Sequence, residues 1–114
     1  PNAFELVGAD ANAVAARKRP LSSMTPTIVE SERGLMIIGS PGGSTIISNV
    51  LLGILNWLDG RSAQEIVAAP RIHHQYLPDS VMVEPKALTP EAKAALEARG
   101  HAIRVGSREW GNTQ

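Results

Sequence analysis

The chain has 114 residues, which fits one small domain spanning 1–114. Eleven basic and eleven acidic residues cancel, and no block of like charge stands out, so nothing favours a nucleic-acid or membrane-surface partner recruited by net charge. With no cysteine, disulfides, thiolate metal sites and cysteine nucleophiles are excluded.

Hydrophobic residues make up 43% of the chain but aromatic ones only 4%, so the core must be built from Val, Ile, Leu and Ala. No apolar stretch reaches the roughly 18–20 residues needed to span a bilayer. The longest, Ile46 to Leu58, is interrupted by Ser48, Asn49, Gly53 and Asn56. The N-terminus has neither the basic start nor the apolar core of a secretory signal, and it begins at Pro1-Asn2, as expected of a chain cut from something longer.

Pro1 to Lys18 is rich in Ala and Asn and shows no sustained period. It reads as irregular, with an apolar contact from Phe4, Leu6 and Val7. Arg17-Lys18-Arg19 reads as a solvated turn, although three cations beside a polar loop could also attract an anionic substrate. Pro20-Leu21-Ser22-Ser23-Met24-Thr25-Pro26 is bracketed by prolines and should be stiff. Adjacent serines on a regular strand point to opposite faces, so Ser22 and Ser23 can meet one ligand only if the backbone leaves regular β geometry.

Thr27–Glu30 and Leu35–Ile38 read as a hairpin with Gly34 in the turn. The second run is apolar throughout, which predicts cover on both faces. Gly39-Ser40-Pro41-Gly42-Gly43-Ser44 follows, leading into a helix. Gly42 and Gly43 can take positive φ and bring bare N–H groups close to a ligand. Amides at a helix start have no internal partner, so such a turn can hold an anion or a developing oxyanion. It can equally be a simple chain reversal. A nucleotide-phosphate loop is disfavoured, because the pattern is not GxGxxG and no lysine follows.

Between Ser44 and Asp59 the apolar residues Ile46, Ile47, Val50, Leu51, Ile54, Leu55 and Leu58 recur at three- and four-residue spacing, which predicts one helical face. Gly60 stops that helix. Ser62-Ala63-Gln64-Glu65 matches a capping box, opening a short helix that Pro70 ends. In Arg71-Ile72-His73-His74-Gln75, adjacent histidines on a strand face opposite ways and cannot share one metal. Hydrogen-bonded structural histidines are the better reading, and no metal or other cofactor is expected.

Val81–Glu84 alternates like a strand. Thr89-Pro90-Glu91 opens a helix that closes at Gly100, and His101–Val105 reads as a final strand. Gly106 to Gln114 reads as a polar tail without a capping element.

Four of these stretches together resemble the small subunit of γ-glutamyltranspeptidases. They are Pro20–Val29, Gly39–Ser44, Ala69-Pro70-Arg71-Ile72-His73-His74-Gln75 and Gly111-Asn112-Thr113-Gln114, in the right order with compatible gaps. The resemblance implies an α/β (α+β) chain forming part of the four-layer αββα sandwich of N-terminal nucleophile hydrolases. It implies a precursor that cleaves itself into two subunits, a threonine nucleophile at the new N-terminus, and γ-glutamyl transfer or hydrolysis on glutathione and related amides.

Residue by residue, it implies that Gly42 and Gly43 form the oxyanion hole, and that Ser22 and Ser23 hold the α-carboxylate of the γ-glutamyl group. The implied partners are the large subunit and the preceding part of the small subunit. The implied location is periplasmic or secreted, while the cysteine-free composition is compatible with the cytoplasm as well. The chain departs from the family by starting at Pro1 instead of a threonine, and Thr25 and Thr27 are internal, so by itself it is expected to be inactive. Related amidases of cephalosporin-acylase or poly-γ-glutamate-processing type stay open, as does a non-catalytic folding fragment. A hairpin with open edges and apolar faces is expected to make the isolated chain dimerise or require its missing segments.

Overall fold

The computed structural model describes residues 13–20 and 22–114, so the expected contact of Phe4, Leu6 and Val7, and Leu21 in the serine loop, lie outside the described residues. Strands β1 (Thr27–Ser31) and β2 (Gly34–Ile38) form the expected antiparallel hairpin, registered from Thr27 opposite Ile38 to Ser31 opposite Gly34. Gly34 closes the turn at φ 116°, a backbone region that L side chains rarely adopt. The hairpin tip is tied to the helix that follows. The Arg33 guanidinium lies 4.4 Å from the Trp57 ring centre and donates to the Trp57 carbonyl, while Trp57 Nε1 donates to Ser31 Oγ at 3.4 Å.

Strand β2 alternates, contrary to the expectation from its composition. Met36 and Ile38 are buried, whereas Leu35 and Ile37 are 60% and 70% exposed. Ile28, the register partner of Ile37, is exposed with it. The run is apolar on both faces, yet among the described residues only one face meets a covering layer.

Helix α1 (Ile46–Leu58) supplies that layer. Met36, Ile38, Ile46, Val50 and Ile66 form the core, with Val29, Ile54 and Trp57 against it. Gly53 sets the approach of helix and hairpin. A Cβ built there would lie 2.1 Å from Ile38 Cδ1, so no larger residue fits without moving Ile38. The single apolar face expected of this helix is divided in two. Ile46 and Val50 turn inward, while Ile47, Leu51, Leu55 and Leu58 form a second, exposed stripe.

Helix α2 (Ala63–Ala68) begins with the predicted capping box. Glu65 N donates to Ser62 Oγ at 3.3 Å, and Ser62 N donates back to Glu65 Oε2 at 2.8 Å. A second sheet has the order β3 (Ile72–His73), β4 (Val81–Val83), β5 (Ile103–Val105). The first pair is antiparallel and the second parallel. Helix α3 (Pro90–Ala98), capped by Thr89 with Pro90 at its first position, makes the crossover that a parallel pair requires.

The tail is not loose. Glu84, 1% exposed, accepts from Trp110 N at 2.7 Å and from Arg71 through both its backbone N–H at 2.9 Å and its guanidinium at 3.3 Å. Arg71 also reaches Thr113 Oγ1 at 3.4 Å. Finally, Gly39 and Gln114 exchange N–H···O=C bonds of 3.0 Å in both directions. The polar tail read from the sequence is anchored by a buried ion pair distant in sequence, which local pattern does not reveal.

Candidate active site

The glycine turn lies between the end of β2 and the start of α1. Gly42 has φ 138° and Gly43 φ 60°, followed by a short 3₁₀ turn over Gly43–Thr45. The two glycines are constrained differently. A Cβ on Gly42 would meet Thr45 Oγ1 at 2.3 Å, whereas one on Gly43 would meet nothing within 4 Å. The Gly42 carbonyl is bound by both Thr45 N at 3.2 Å and Thr45 Oγ1 at 3.0 Å, which turns that carbonyl into the helix start. Neither the Gly42 nor the Gly43 N–H donates to an acceptor among the described residues. Two adjacent free amides at the head of a helix are the donor pair expected of an oxyanion site.

The turn is braced from three sides. Ser23 Oγ donates to the Gly43 carbonyl at 2.5 Å, which carries the serine loop onto the turn. Asn49, 2% exposed on α1, donates to Ser40 Oγ at 3.0 Å. Gln114 pairs with Gly39 from the tail side, as described above. The sequence assigned no role to Asn49, and Gln114 entered it only within the resembling Gly111–Gln114 stretch, without its bond to Gly39. A buried polar residue on an otherwise apolar helical face was the available signal for Asn49.

Ser22 stands beside Ser23 but is differently committed. Its Oγ accepts from Met24 N at 3.2 Å, leaving its hydroxyl hydrogen available. The segment 22–26 is not a regular strand, as two serines serving one ligand require. The histidines are placed as structural groups. His73, buried, lies between Ser48 Oγ at 2.5 Å and Gln75 Oε1 at 2.9 Å, and His74 pairs with Asp79 at 2.9 Å on the surface. The Arg17–Arg19 cluster is exposed.

A cleft of about 460 Å³ opens between the glycine turn, β4–β5 and the tail. Among its lining residues are Thr45, Ser80, Met82, Arg104, Arg108 and Trp110. Trp110 covers Gly106, where a Cβ would lie 3.5 Å from the indole ring.

The γ-glutamyltranspeptidase family model matches residues 1–114. The glutathione hydrolase proenzyme of Escherichia coli is 47% identical over 116 residues, covering 100% of this chain and 20% of that protein. A γ-glutamyltranspeptidase variant from Helicobacter pylori superposes with a TM-score of 0.82 at 44% identity, over 95% of this chain and 59% of that one. The γ-glutamyltranspeptidase from Pseudomonas nitroreducens, complexed with L-DON, gives 0.78 at 37%, over 98% and 60%. The mixed helix-and-sheet arrangement is thus a portion of the N-terminal nucleophile hydrolase fold. Within that class the chain belongs to the γ-glutamyltranspeptidase family, spanning about a fifth of the length of the E. coli relative.

Proposed function

We propose that this chain is the oxyanion-binding and donor-binding part of an enzyme that transfers or hydrolyses the γ-glutamyl group of glutathione and related γ-glutamyl amides. The observation that carries the reading is the pair of free amides at Gly42 and Gly43, braced by Ser23. When a nucleophile attacks the γ-amide, its carbonyl oxygen gains negative charge. Fixed N–H donors lower that barrier by about 3 kcal/mol each. They need no reorganisation here, because the turn is already held by Thr45, Ser40 and Gln114.

The donor's α-carboxylate lies with Ser22 and Ser23. Hydroxyl donors suit it, since they orient the carboxylate without adding a full charge. Ser22 has an uncommitted hydroxyl hydrogen, and Ser23 acts both toward the carboxylate and as a brace on the turn. Segments outside this chain, a large subunit and the preceding part of the small subunit, complete the site. They supply the threonine nucleophile, whose own α-amine, with a pKa near 8, serves as base. The parent protein works in the periplasm or outside the cell, as the family resemblance implies.

The test is made on the complete parent protein with a γ-glutamyl anilide as donor. Turnover that falls about a hundredfold or more in Gly42→Val, with the protein still folded, is the expected result. No γ-glutamyl turnover by the folded wild type, or full turnover by the variant, would sink the reading.

A further inference from the structure

Free amides serve an oxyanion only if they point at it, and nothing in a glycine fixes where its N–H points. Glycine takes positive and negative φ with similar ease, so the peptide planes on either side of it can swing. The ring of Pro41 locks its own φ but not its ψ, and so leaves the plane between Pro41 and Gly42 free to turn. In a trans peptide, however, the carbonyl of one residue and the N–H of the next share a plane and point opposite ways. Holding the carbonyl therefore aims the N–H. The carbonyl that aims the Gly42 amide belongs to Pro41, and the one that aims the Gly43 amide belongs to Gly42.

Each of these carbonyls has its own holder. Ser40 Oγ donates to the Pro41 carbonyl at 2.9 Å and accepts from Asn49 Nδ2 at 3.0 Å. A hydroxyl has one hydrogen on a free rotor, and a donor seated on its lone pair fixes the rotor and directs the hydrogen away. Asn49 is 2% exposed, and Gly111 of the tail closes over the pair. A Cβ on Gly111 would lie 2.7 Å from Asn49 Nδ2 and 3.4 Å from Ser40 Oγ, so the bond is shielded from competition by water. Asn49 Oδ1 has no hydrogen-bond partner among the described residues. A buried, unpaired acceptor costs stability, so what this side chain contributes lies at its other end, on Ser40.

The Gly42 carbonyl is held by a different residue. Thr45 donates to it twice, from its backbone N at 3.2 Å and from Oγ1 at 3.0 Å. Ser23, on the Gly43 carbonyl, steadies the next plane along. The bonds on Pro41 and on Gly42 share no side chain.

Resting on the reading of Gly42 and Gly43 as oxyanion donors, we propose that the two amides are aimed by separate devices: the Asn49–Ser40 relay sets the Gly42 N–H, and Thr45 sets the Gly43 N–H. Ser40, Asn49 and Thr45 are positioning residues in this account. They act through the direction of a peptide plane and not on the substrate itself. Their loss slows the chemical step and leaves the hold of Ser22 and Ser23 on the donor as it was.

The test uses the complete parent protein and a γ-glutamyl anilide, with release of the first aniline followed in a single turnover. At saturating donor, Ser40→Ala, Asn49→Ala and Thr45→Val should each slow that release about fivefold to tenfold, the worth of one hydrogen bond. The donor concentration giving half-maximal release should stay at the wild-type value. Ser40→Thr and Thr45→Ser, which keep the hydroxyl, should restore the rate. Two double variants separate aiming from packing. Asn49→Ala should cost nothing further in the Ser40→Ala background, because it acts only through that hydroxyl. Thr45→Val should keep its full effect there.

An Asn49→Ala loss that persists in full beside Ser40→Ala overturns the relay, as do losses that merely follow a falling urea-unfolding midpoint. Wild-type rates in Ser40→Ala and Thr45→Val, next to a slow Gly42→Val, overturn both devices and leave the oxyanion reading standing. A wild type that releases no aniline, or a Gly42→Val that releases it at full rate, overturns the oxyanion reading and the devices with it.

Discussion

Gly42 and Gly43 are adjacent and chemically identical, yet substitutions at them should behave differently. Gly42 combines a positive φ with a Cβ position 2.3 Å from Thr45 Oγ1, so even alanine strains the backbone and displaces the side chain that orients the turn. Gly43 has only the positive φ, at 60°, with open space around it. A non-glycine residue there costs about 1–2 kcal/mol of backbone strain. In the complete protein, turnover of a γ-glutamyl anilide should therefore fall much further in Gly42→Ala than in Gly43→Asn, since Asn tolerates the left-handed region. Equal losses would remove the distinction.

The serines separate in the same way. Ser22→Ala should raise the donor KM, whereas Ser23→Ala should also lower kcat, because its hydroxyl holds the Gly43 carbonyl at 2.5 Å. These residues stand out in the sequence, since glycine pairs and proline-bracketed serines have local causes. The unequal commitments of Ser22 and Ser23 were not. They depend on a hydrogen bond between residues 23 and 43, and local sequence carries no trace of that approach.

Among the elements, those with local signals were the ones legible in advance. The hairpin, the capping box of α2 and the Thr89-Pro90 start of α3 each rest on a few neighbouring residues. The capping box also makes a pH prediction. The Glu65 carboxyl is held below its ordinary value of 4.5, first by the Ser62 backbone N–H and then by the Ser62 side chain. A carboxylate depressed in the folded state stabilises it above the unfolded pKa and loses that contribution as pH falls through the folded value. Ser62→Ala should therefore flatten the acid limb of the unfolding curve below about pH 4.5, where Glu65 titrates in the unfolded chain. At neutral pH the variant should lose about 1 kcal/mol. Thermal or urea unfolding at several pH values reads both effects.

What periodicity could not foretell was the split of the apolar face of α1. The spacing of seven apolar residues says only that one side of the helix is greasy, and a wide stripe can serve one neighbour or two. Gly53 shows which part is pressed hardest. Its replacement by Val should destabilise the protein by about 1–3 kcal/mol through overpacking on Ile38. An unfolding midpoint equal to wild type would contradict the close approach.

For the molecule as a whole, the buried pair Arg71–Glu84 is the junction between the second sheet and the tail. Glu84→Gln keeps the shape but leaves the Arg71 cation uncompensated, a change that commonly costs about 3–5 kcal/mol. Urea unfolding should register it, and the tail from Trp110 to Thr113 should become more exposed to amide exchange. The bare faces are the other global feature. Ile28, Leu35 and Ile37 on the hairpin, and Ile47, Leu51, Leu55 and Leu58 on α1, are too much apolar surface to leave in water. The isolated chain should self-associate in sedimentation experiments, and Ile37→Asp should shift it toward monomer. The same substitution in the complete protein should lower the yield of assembled enzyme.

The bond between Gly39 and Gln114 has a consequence in time. Synthesis runs from the N-terminus, and domains fold as units while the chain emerges. The glycine turn is made early, but the residue that pins its first position follows both sheets in the chain. The brace on Gly39 is thus missing until Gln114 has left the ribosome. Nascent chains stalled before that point should be cut readily by protease around Ser40–Ser44, and chains stalled well after it should resist. The order of translation would then leave the start of the glycine turn unpinned until both sheets have been synthesised.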